Sequence, residues 1–175
     1  MAPDGPLPET IDRRLYRMIH GLPHSAAGDH YVSLVSDLGQ GIGWVAAGGA
    51  MALLGGSKGR RAGLATVVAA ACTSYLVQQV IKPVARRKRP FVGRDVAVIG
   101  IRPEDASFPS GHTASSFAAA TAMSSFYPKA GPLAFALASL VGISRVHLGH
   151  HFPSDVAIGS VIGVGTGTIM ARLLK

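Results

Sequence analysis

The sequence predicts an all-α fold, an integral membrane helical bundle of about five transmembrane helices with an N-terminal amphipathic interfacial helix. Three observations carry this. Only 15% of the 175 residues are charged against 48% hydrophobic, well short of the ~25% charge usual in soluble domains. Uncharged stretches recur at bilayer length, where ~20 residues at 1.5 Å rise cross ~30 Å of hydrocarbon. Those stretches are rich in Gly, Ala, Ser and Thr, the small residues that let transmembrane helices pack closely.

The elements follow in chain order. Residues 1–9 hold three prolines and no apolar run, and read as a flexible tail without a signal-peptide core. From Thr10, an N-cap candidate, residues 10–20 place Ile11, Leu15, Met18 and Ile19 at helical spacing, with Arg13, Arg14 and Arg17 opposite. Such a helix suits a membrane surface; a short helix on a soluble core is the alternative. Five uncharged segments come next, at 38–54, 62–81, 113–127, 132–143 and 156–170. The third and fourth are short, so their ends extend into the polar residues beside them. Gly159, Gly163 and Gly167 make two small-xxx-small steps, read as a packing face inside the bundle, with homo-oligomerisation as the lesser reading. No repeat or linker divides residues 1–175, so one membrane-embedded domain is expected. Cys72, the single cysteine, excludes an intramolecular disulfide and a multi-cysteine metal cluster, and its apolar flanks make it packing filler.

The charge is unequal, 17 Lys and Arg against 9 Asp and Glu for a net +8, which points to nucleic acid, an anionic membrane or a phosphorylated ligand. Nucleic acid is the weakest of these, because the aromatics are not interleaved with the basic residues. Three clusters remain once the apolar segments are set aside: Lys82 with Arg89-Pro90, Pro109-Ser110-Gly111-His112, and Ser144-Arg145 with His151 and Asp155. In an alternating helical path these clusters meet at one membrane surface. There Lys82, Arg89 and Arg145 make an anion site, and the guanidinium fork matches phosphate oxygens. Ser110 and Gly111, just ahead of a helix start, can add a hydroxyl and backbone N–H groups. His151 and Asp155 are spaced i, i+4, so the carboxylate can hold one ring nitrogen and leave the other as nucleophile or base, with His112 as the opposing acid. One histidine attacking phosphorus and another protonating the leaving oxygen make a metal-free phosphoryl-transfer apparatus. Taken singly, each cluster has an ordinary explanation: a solvated basic patch, a turn, a structural histidine. Their order and spacing together carry the reading.

These three motifs, spanning residues 82–155, resemble the three-part signature of the type 2 phosphatidic acid phosphatase family. The family includes membrane lipid phosphatases and soluble acid phosphatases, and shares its pocket with vanadium haloperoxidases. The resemblance implies that His151 is the nucleophile forming a phosphohistidine and Asp155 its orienter. It also implies that His112 is the general acid, that Lys82, Arg89, Arg145, Ser110 and Gly111 cradle the phosphate, and that no metal or cofactor is needed. The chain departs from larger bacterial members in having about five spans where six are usual. It also resembles the short actinobacterial members assigned to polyprenyl phosphates. The implied activity is hydrolysis of a lipid-linked phosphomonoester or pyrophosphate in a bacterial plasma membrane. The expected substrate is a polyprenyl carrier, undecaprenyl pyrophosphate or decaprenylphosphoryl phosphoribose, with phosphatidylglycerol phosphate and phosphatidic acid as alternatives.

Three rivals stand beside this reading. A metal-dependent hydrolase would use His147, His150, His151 and Asp155 as ligands, but the adjacent Lys and Arg repel a divalent cation and no His-x-x-x-His with a catalytic Glu is present. A vanadium haloperoxidase shares the residue set but not the hydrophobic membrane architecture. A non-enzymatic binder of anionic headgroups explains the basic run but needs no paired histidines. The loop at 91–108 is expected to cover the pocket, with Val96, Val98, Ile99 and Ile101 either meeting lipid or closing the loop's own small core.

Overall fold

In the computed structural model, which describes residues 10–39, 41–92 and 98–175, every regular element is helical. The expected tail at 1–9 and the loop residues Arg94 and Val96 lie outside the described residues. Helices α1 (Ile11–His20) and α2 (Ala26–Leu38) each begin at a hydroxyl cap. Thr10 Oγ1 accepts from Arg13 N at 3.4 Å and Ser25 Oγ from Gly28 N at 3.1 Å. Helix α2 was not foreseen. Helix α3 (Ile42–Leu54) starts after Gly41, which holds a φ of 138° that side chains disfavour. Helix α4 (Gly56–Tyr75) continues through a π-helical segment (Leu76–Ile81) into α5 (Lys82–Ala85). Then follow α6 (Gly111–Phe126), α7 (Gly131–His147) and α8 (Pro153–Leu174).

Each of the five uncharged segments falls on one of these helices. Three stretches are long and apolar enough to cross a membrane: Gly56–Ala85, Pro128–His147 and Pro153–Leu174. Helix α3 is apolar but has only 13 residues and α6 only 16, about 20 and 24 Å at 1.5 Å per residue. Among the described residues, three of the five expected spans thus reach bilayer length as continuous helical stretches, and the other two are shorter. Helix α6 is instead the central post of the bundle, with Ala114, Ala118, Ala119, Ala120 and Ala122 all fully buried.

The core is built from alanine. Ala62, Ala65 and Ala69 of α4 meet Ala118 and Ala122 of α6 and Ala171 of α8, and a second cluster joins Trp44 and Ala70 to Ala134 and Ala138. Between helices in lipid, close approach of small side chains replaces the bulk that fills a soluble core, and side-chain hydrogen bonds add to it. The indole of Trp44 donates to Ser116 Oγ at 3.0 Å, and Ser116 donates in turn to Gly39 O at 3.0 Å. The large apolar side chains Leu53, Leu54, Leu133, Val161 and Leu173 face outward. Cys72, expected as packing filler, is also exposed.

The α8 glycines lie directly against α6. A Cβ on Gly159, Gly163 or Gly167 would fall 2.7, 2.3 or 2.5 Å from the carbonyl oxygens of Ser110, Ala114 and Ala118. This face is occupied within the chain, so the reading of self-association through Gly159, Gly163 and Gly167 is corrected. Gly163→Ala is expected to cost ~1–3 kcal/mol, since backbone oxygen cannot give way as a side-chain tip would. Thermal unfolding of the detergent-solubilised protein would register the loss.

The helices alternate in direction. At one end Arg61, near the start of α4, donates to Lys175 O beyond α8 at 2.5 Å, and Lys58 lies 4.7 Å over the Tyr127 ring. The end of α5 and the starts of α6 and α8 therefore share the opposite end with the end of α7. Helix α1 docks there too: Tyr16 is buried against Val146 and Phe152 while Ile11, Leu15 and Met18 face outward.

Candidate active site

The first cluster is shaped by backbone irregularity. The π segment at Leu76–Ile81 widens the helix just before Lys82, and Arg86, in the left-handed region at φ 46°, ends α5 with its N–H on Lys82 O at 3.3 Å. The chain then doubles back, so that Lys82 and Arg89 both become buried and line one cavity of about 400 Å³. Arg145 comes from the last turn of α7. The cavity is also lined by Ser33 and Asp37 of α2, Gln78, Ile99, Ile101, Asp105, His112, His150 and His151. Three buried cations thus face two carboxylates, an excess of one positive charge in a poorly solvated space.

The geometry around His151 fixes its tautomer. Arg89 Nη1 lies 3.3 Å from His151 Nε2 and donates to His150 O at 2.8 Å. A guanidinium only donates, so Nε2 is the accepting nitrogen and the ring proton sits on Nδ1. Nδ1 points to Asp155 Oδ2 at 3.6 Å, an electrostatic pair just beyond hydrogen-bond length. Burial pushes the His151 imidazole down to about 4, against the opposing pull of Asp155, so it is neutral at pH 7 with its Nε2 lone pair turned to Arg89 on the cavity side. Its neighbour His150 is pushed down to about 3, first by burial and then by Arg145, and its Nε2 lies 3.0 Å from Ile99 O.

Asp155 is fully buried and fully engaged. Its Oδ2 accepts from Ser107 Oγ at 2.5 Å and Phe152 N at 2.9 Å, and its Oδ1 from Arg87 Nη1 at 2.6 Å. Arg87 also donates to Ser154 Oγ at 2.7 Å and to Asp12 of α1 at 2.5 Å. Two backbone bonds lace the clusters together: Ser107 N to Arg87 O at 2.8 Å and Ser110 N to Asp155 O at 3.0 Å.

The structure therefore brings Lys82, Arg89, His112, Arg145 and His151 to one cavity wall, with Asp155 behind His151. Ser110 and Gly111 are buried at the start of α6 but do not line the cavity, and the Ser110 hydroxyl accepts from Thr113 Oγ1 at 2.9 Å. His147, proposed as a metal ligand by one rival, points instead to Asp29 of α2. In the covering loop Ile99 and Ile101 line the cavity, and Ile99 N is tied to Leu148 O at 3.3 Å.

Four participants were missed in the sequence. Arg87 sits in the run Arg86-Arg87-Lys88-Arg89, where nothing in the residue types distinguishes it from its neighbours. Ser36 accepts from Arg145 Nη1 at 2.7 Å, and Asp37 lines the cavity; both sit on the unforeseen α2. Asp105 bridges the two cations of the first motif, with its Oδ1 accepting from Arg89 Nη2 at 2.5 Å and its Oδ2 from Lys82 Nζ. Burial would raise this carboxyl, but Lys82 and Arg89 outweigh it and hold Asp105 below the usual carboxylate range. An acid seven residues ahead of His112 was the available signal. Because Asp105 holds the donors that a substrate phosphate needs, Asp105→Asn is expected to tighten inhibition by inorganic phosphate by about three- to tenfold, one weakened competing contact. Phosphate inhibition curves for the two proteins would check this.

The family model of the PAP2 superfamily matches residues 63–175. Decaprenylphosphoryl-5-phosphoribose phosphatase of Mycobacterium tuberculosis is 36% identical over 131 residues, 74% of this chain and 70% of that protein. Undecaprenyl-diphosphatase BcrC of Bacillus subtilis is 30% identical over 168 residues, 93% of this chain and 83% of that protein. Among solved structures, LpxE of Aquifex aeolicus superposes with a TM-score of 0.75 at 26% identity, covering 94% of this chain and 96% of the other.

Proposed function

The chain belongs to the PAP2 superfamily, and from that membership we infer that it removes phosphate from a polyprenyl phosphate ester or diphosphate at a membrane surface. It is an integral membrane protein, as its three long apolar helices and its membrane relatives require, in keeping with a bacterial plasma membrane. The observation that carries the catalytic reading is a neutral imidazole nitrogen beside three buried cations in one cavity.

The reaction runs in two displacements. Phosphate oxygens settle on Lys82, Arg89 and Arg145, taking the place of the Asp105 carboxylate on the first two. The lone pair of His151 Nε2 attacks phosphorus as the bond to the leaving oxygen breaks; His112, which burial and Arg145 hold neutral in the free protein, takes up a proton when the phosphate anion binds and gives it to that oxygen. The Nδ1 proton of His151 stays in place, its developing positive charge stabilised by Asp155. A water then attacks phosphorus and gives its proton to His112, the phosphorus–nitrogen bond breaks with its electron pair returning to His151 Nε2, and phosphate leaves. The cations supply the charge stabilisation, worth several kcal/mol where water is scarce.

The polyprenyl assignment rests on the two named relatives and on where apolar space lies. Beside the polar cavity, α2 and α7 border two apolar crevices of about 250 and 380 Å³, lined by Leu38, Trp44, Leu137 and Val141 in one and by Leu22, Tyr31, Leu140 and Ile143 in the other. A long prenyl chain lies along these crevices while its headgroup enters the site. The outward apolar face of α1 rests at the membrane interface beside them.

The experiment is phosphate release by the detergent-purified protein, with chelator present, from polyprenyl diphosphate, polyprenyl phosphate esters, phosphatidylglycerol phosphate and phosphatidic acid. Preferential release from a polyprenyl substrate is expected. Preference for a glycerolipid would replace the substrate assignment, and binding without release from any of them would replace the enzyme by a headgroup-binding protein.

A further inference from the structure

Away from the catalytic cavity, the turn after α1 carries His24, α2 carries Asp29 and the last residue of α7 is His147. His24 Nδ1 lies 2.9 Å from Asp29 Oδ1, and His147 Nε2 lies 3.3 Å from the same oxygen. All three donor atoms fall within 4.8 Å of one another. In a tetrahedron with ~2.0–2.1 Å metal–ligand bonds the ligand atoms stand about 3.3 Å apart, and both histidine nitrogens already stand at about that distance from the carboxylate oxygen.

The far nitrogens decide what the near ones can do. His24 Nε2 lies 2.8 Å from His20 O and His147 Nδ1 lies 3.4 Å from Ile19 O. A carbonyl accepts only, so both far nitrogens carry the ring proton, and in the neutral rings both near nitrogens present lone pairs to a carboxylate. Lone pairs facing a carboxylate repel. The two rings stack at 4.4 Å between centroids, and one cation placed between them and the carboxylate serves all three acceptors. A histidine whose other nitrogen donates to a backbone carbonyl is also the usual arrangement of a metal ligand, because that bond fixes the tautomer and raises basicity.

We propose that His24, Asp29 and His147 bind a zinc ion that fastens the α1–α2 turn to the end of α7. Two imidazoles and one carboxylate suit a borderline cation such as zinc, and the carboxylate neutralises half its charge. The side chains are 30%, 14% and 13% exposed, so the ion enters from water and a water molecule completes its fourth position. The role is structural. Clamping α2 to α7 holds Ser36 against Arg145, which lies two residues before His147. His147 does not line the catalytic cavity, so the ion takes no part in phosphoryl transfer.

The test is a zinc titration of chelator-stripped, detergent-purified protein against a chromophoric zinc indicator, with thermal unfolding followed in parallel. Uptake of one zinc per chain and a rise in Tm are expected. His24→Ala, whose ring is the most exposed of the three, and Asp29→Asn should each weaken zinc at least tenfold and remove the Tm rise. His151→Ala should leave both intact, separating this site from the catalytic histidines. No uptake by the wild type, equal uptake by His24→Ala, or loss of uptake in His151→Ala with retention in His24→Ala would each overturn the proposal.

Discussion

Phosphate release from the preferred lipid is expected to fall by ~10⁴-fold or more in His151→Ala, the largest effect of any single substitution, because removing a nucleophile leaves only binding and electrostatics to act. The cations of the cradle remain in the variant, so substrate binding should persist while turnover is lost. Measurement of lipid binding beside release would separate the two; near-normal release would refute a histidine nucleophile. The same residue sets the acid side of the pH profile. His151 attacks only when Nε2 is unprotonated, and burial has moved its pKa down to about 4. As pH falls through that value the imidazolium forms and activity is lost; between pH 5 and 7 the nucleophile stays competent. The acid limb of kcat/KM, which reports the free enzyme, is therefore expected near 4, not near the ~6.5 of an unperturbed histidine.

Asp155→Asn is the second large effect, expected to reduce kcat by ~10²–10⁴-fold and to destabilise the fold as well. The carboxylate accepts from Ser107, Phe152 N and Arg87 while facing His151 Nδ1 at 3.6 Å. An amide has one oxygen and one donating NH2. Whichever way it turns, its NH2 is brought against a donor, either Arg87 on one side or Ser107, Phe152 N and the His151 Nδ1 proton on the other. The neutral amide also withdraws the charge that stabilises His151 as its bond to phosphorus forms. A kcat loss with little change in KM, together with a lower Tm, is the expected signature. Ser107→Ala provides the contrast: it removes one partner of Asp155 but not the charge, so stability should fall with a much smaller loss in kcat.

These residues illustrate what could be read in advance. Lys82, Arg89, His112, Arg145, His151 and Asp155 were all legible, because phosphoryl transfer constrains residue type and spacing at once and the alternating helical path brings the three motifs to one end. Ser110 and Gly111 were legible as a motif but not as a location, since both are buried behind the cavity wall at the start of α6. Arg87 was hidden in a run of like charges. Its inward turn depends on the left-handed Arg86 that reverses the chain after α5, a conformation that no periodicity announces. Helix α2 was missed as well. Its outward residues Leu34, Val35 and Leu38 alternate with Ser33, Ser36 and Asp37, a mixed pattern that suits neither a span nor a plain surface helix.

The sequence by itself determined the membrane class and the all-helical fold, and its alternating helical path sets three motifs suited to phosphate recognition at one end of the bundle, because bilayer thickness, hydropathy and phosphate recognition each act on local residue type. Only the tertiary structure decided how the helices share the work. It made α6 a short buried post, and it closed the α8 glycine stripe on that post so tightly that a Cβ added at Gly159, Gly163 or Gly167 would fall 2.3–2.7 Å from a backbone oxygen of α6 or its cap. It also carried Asp12, Ser36, Arg87 and Asp105 to partners between 16 and 142 positions away in the chain. Contacts of that range arise from packing, where a residue's neighbours are set by the helices it lies against and not by the residues beside it.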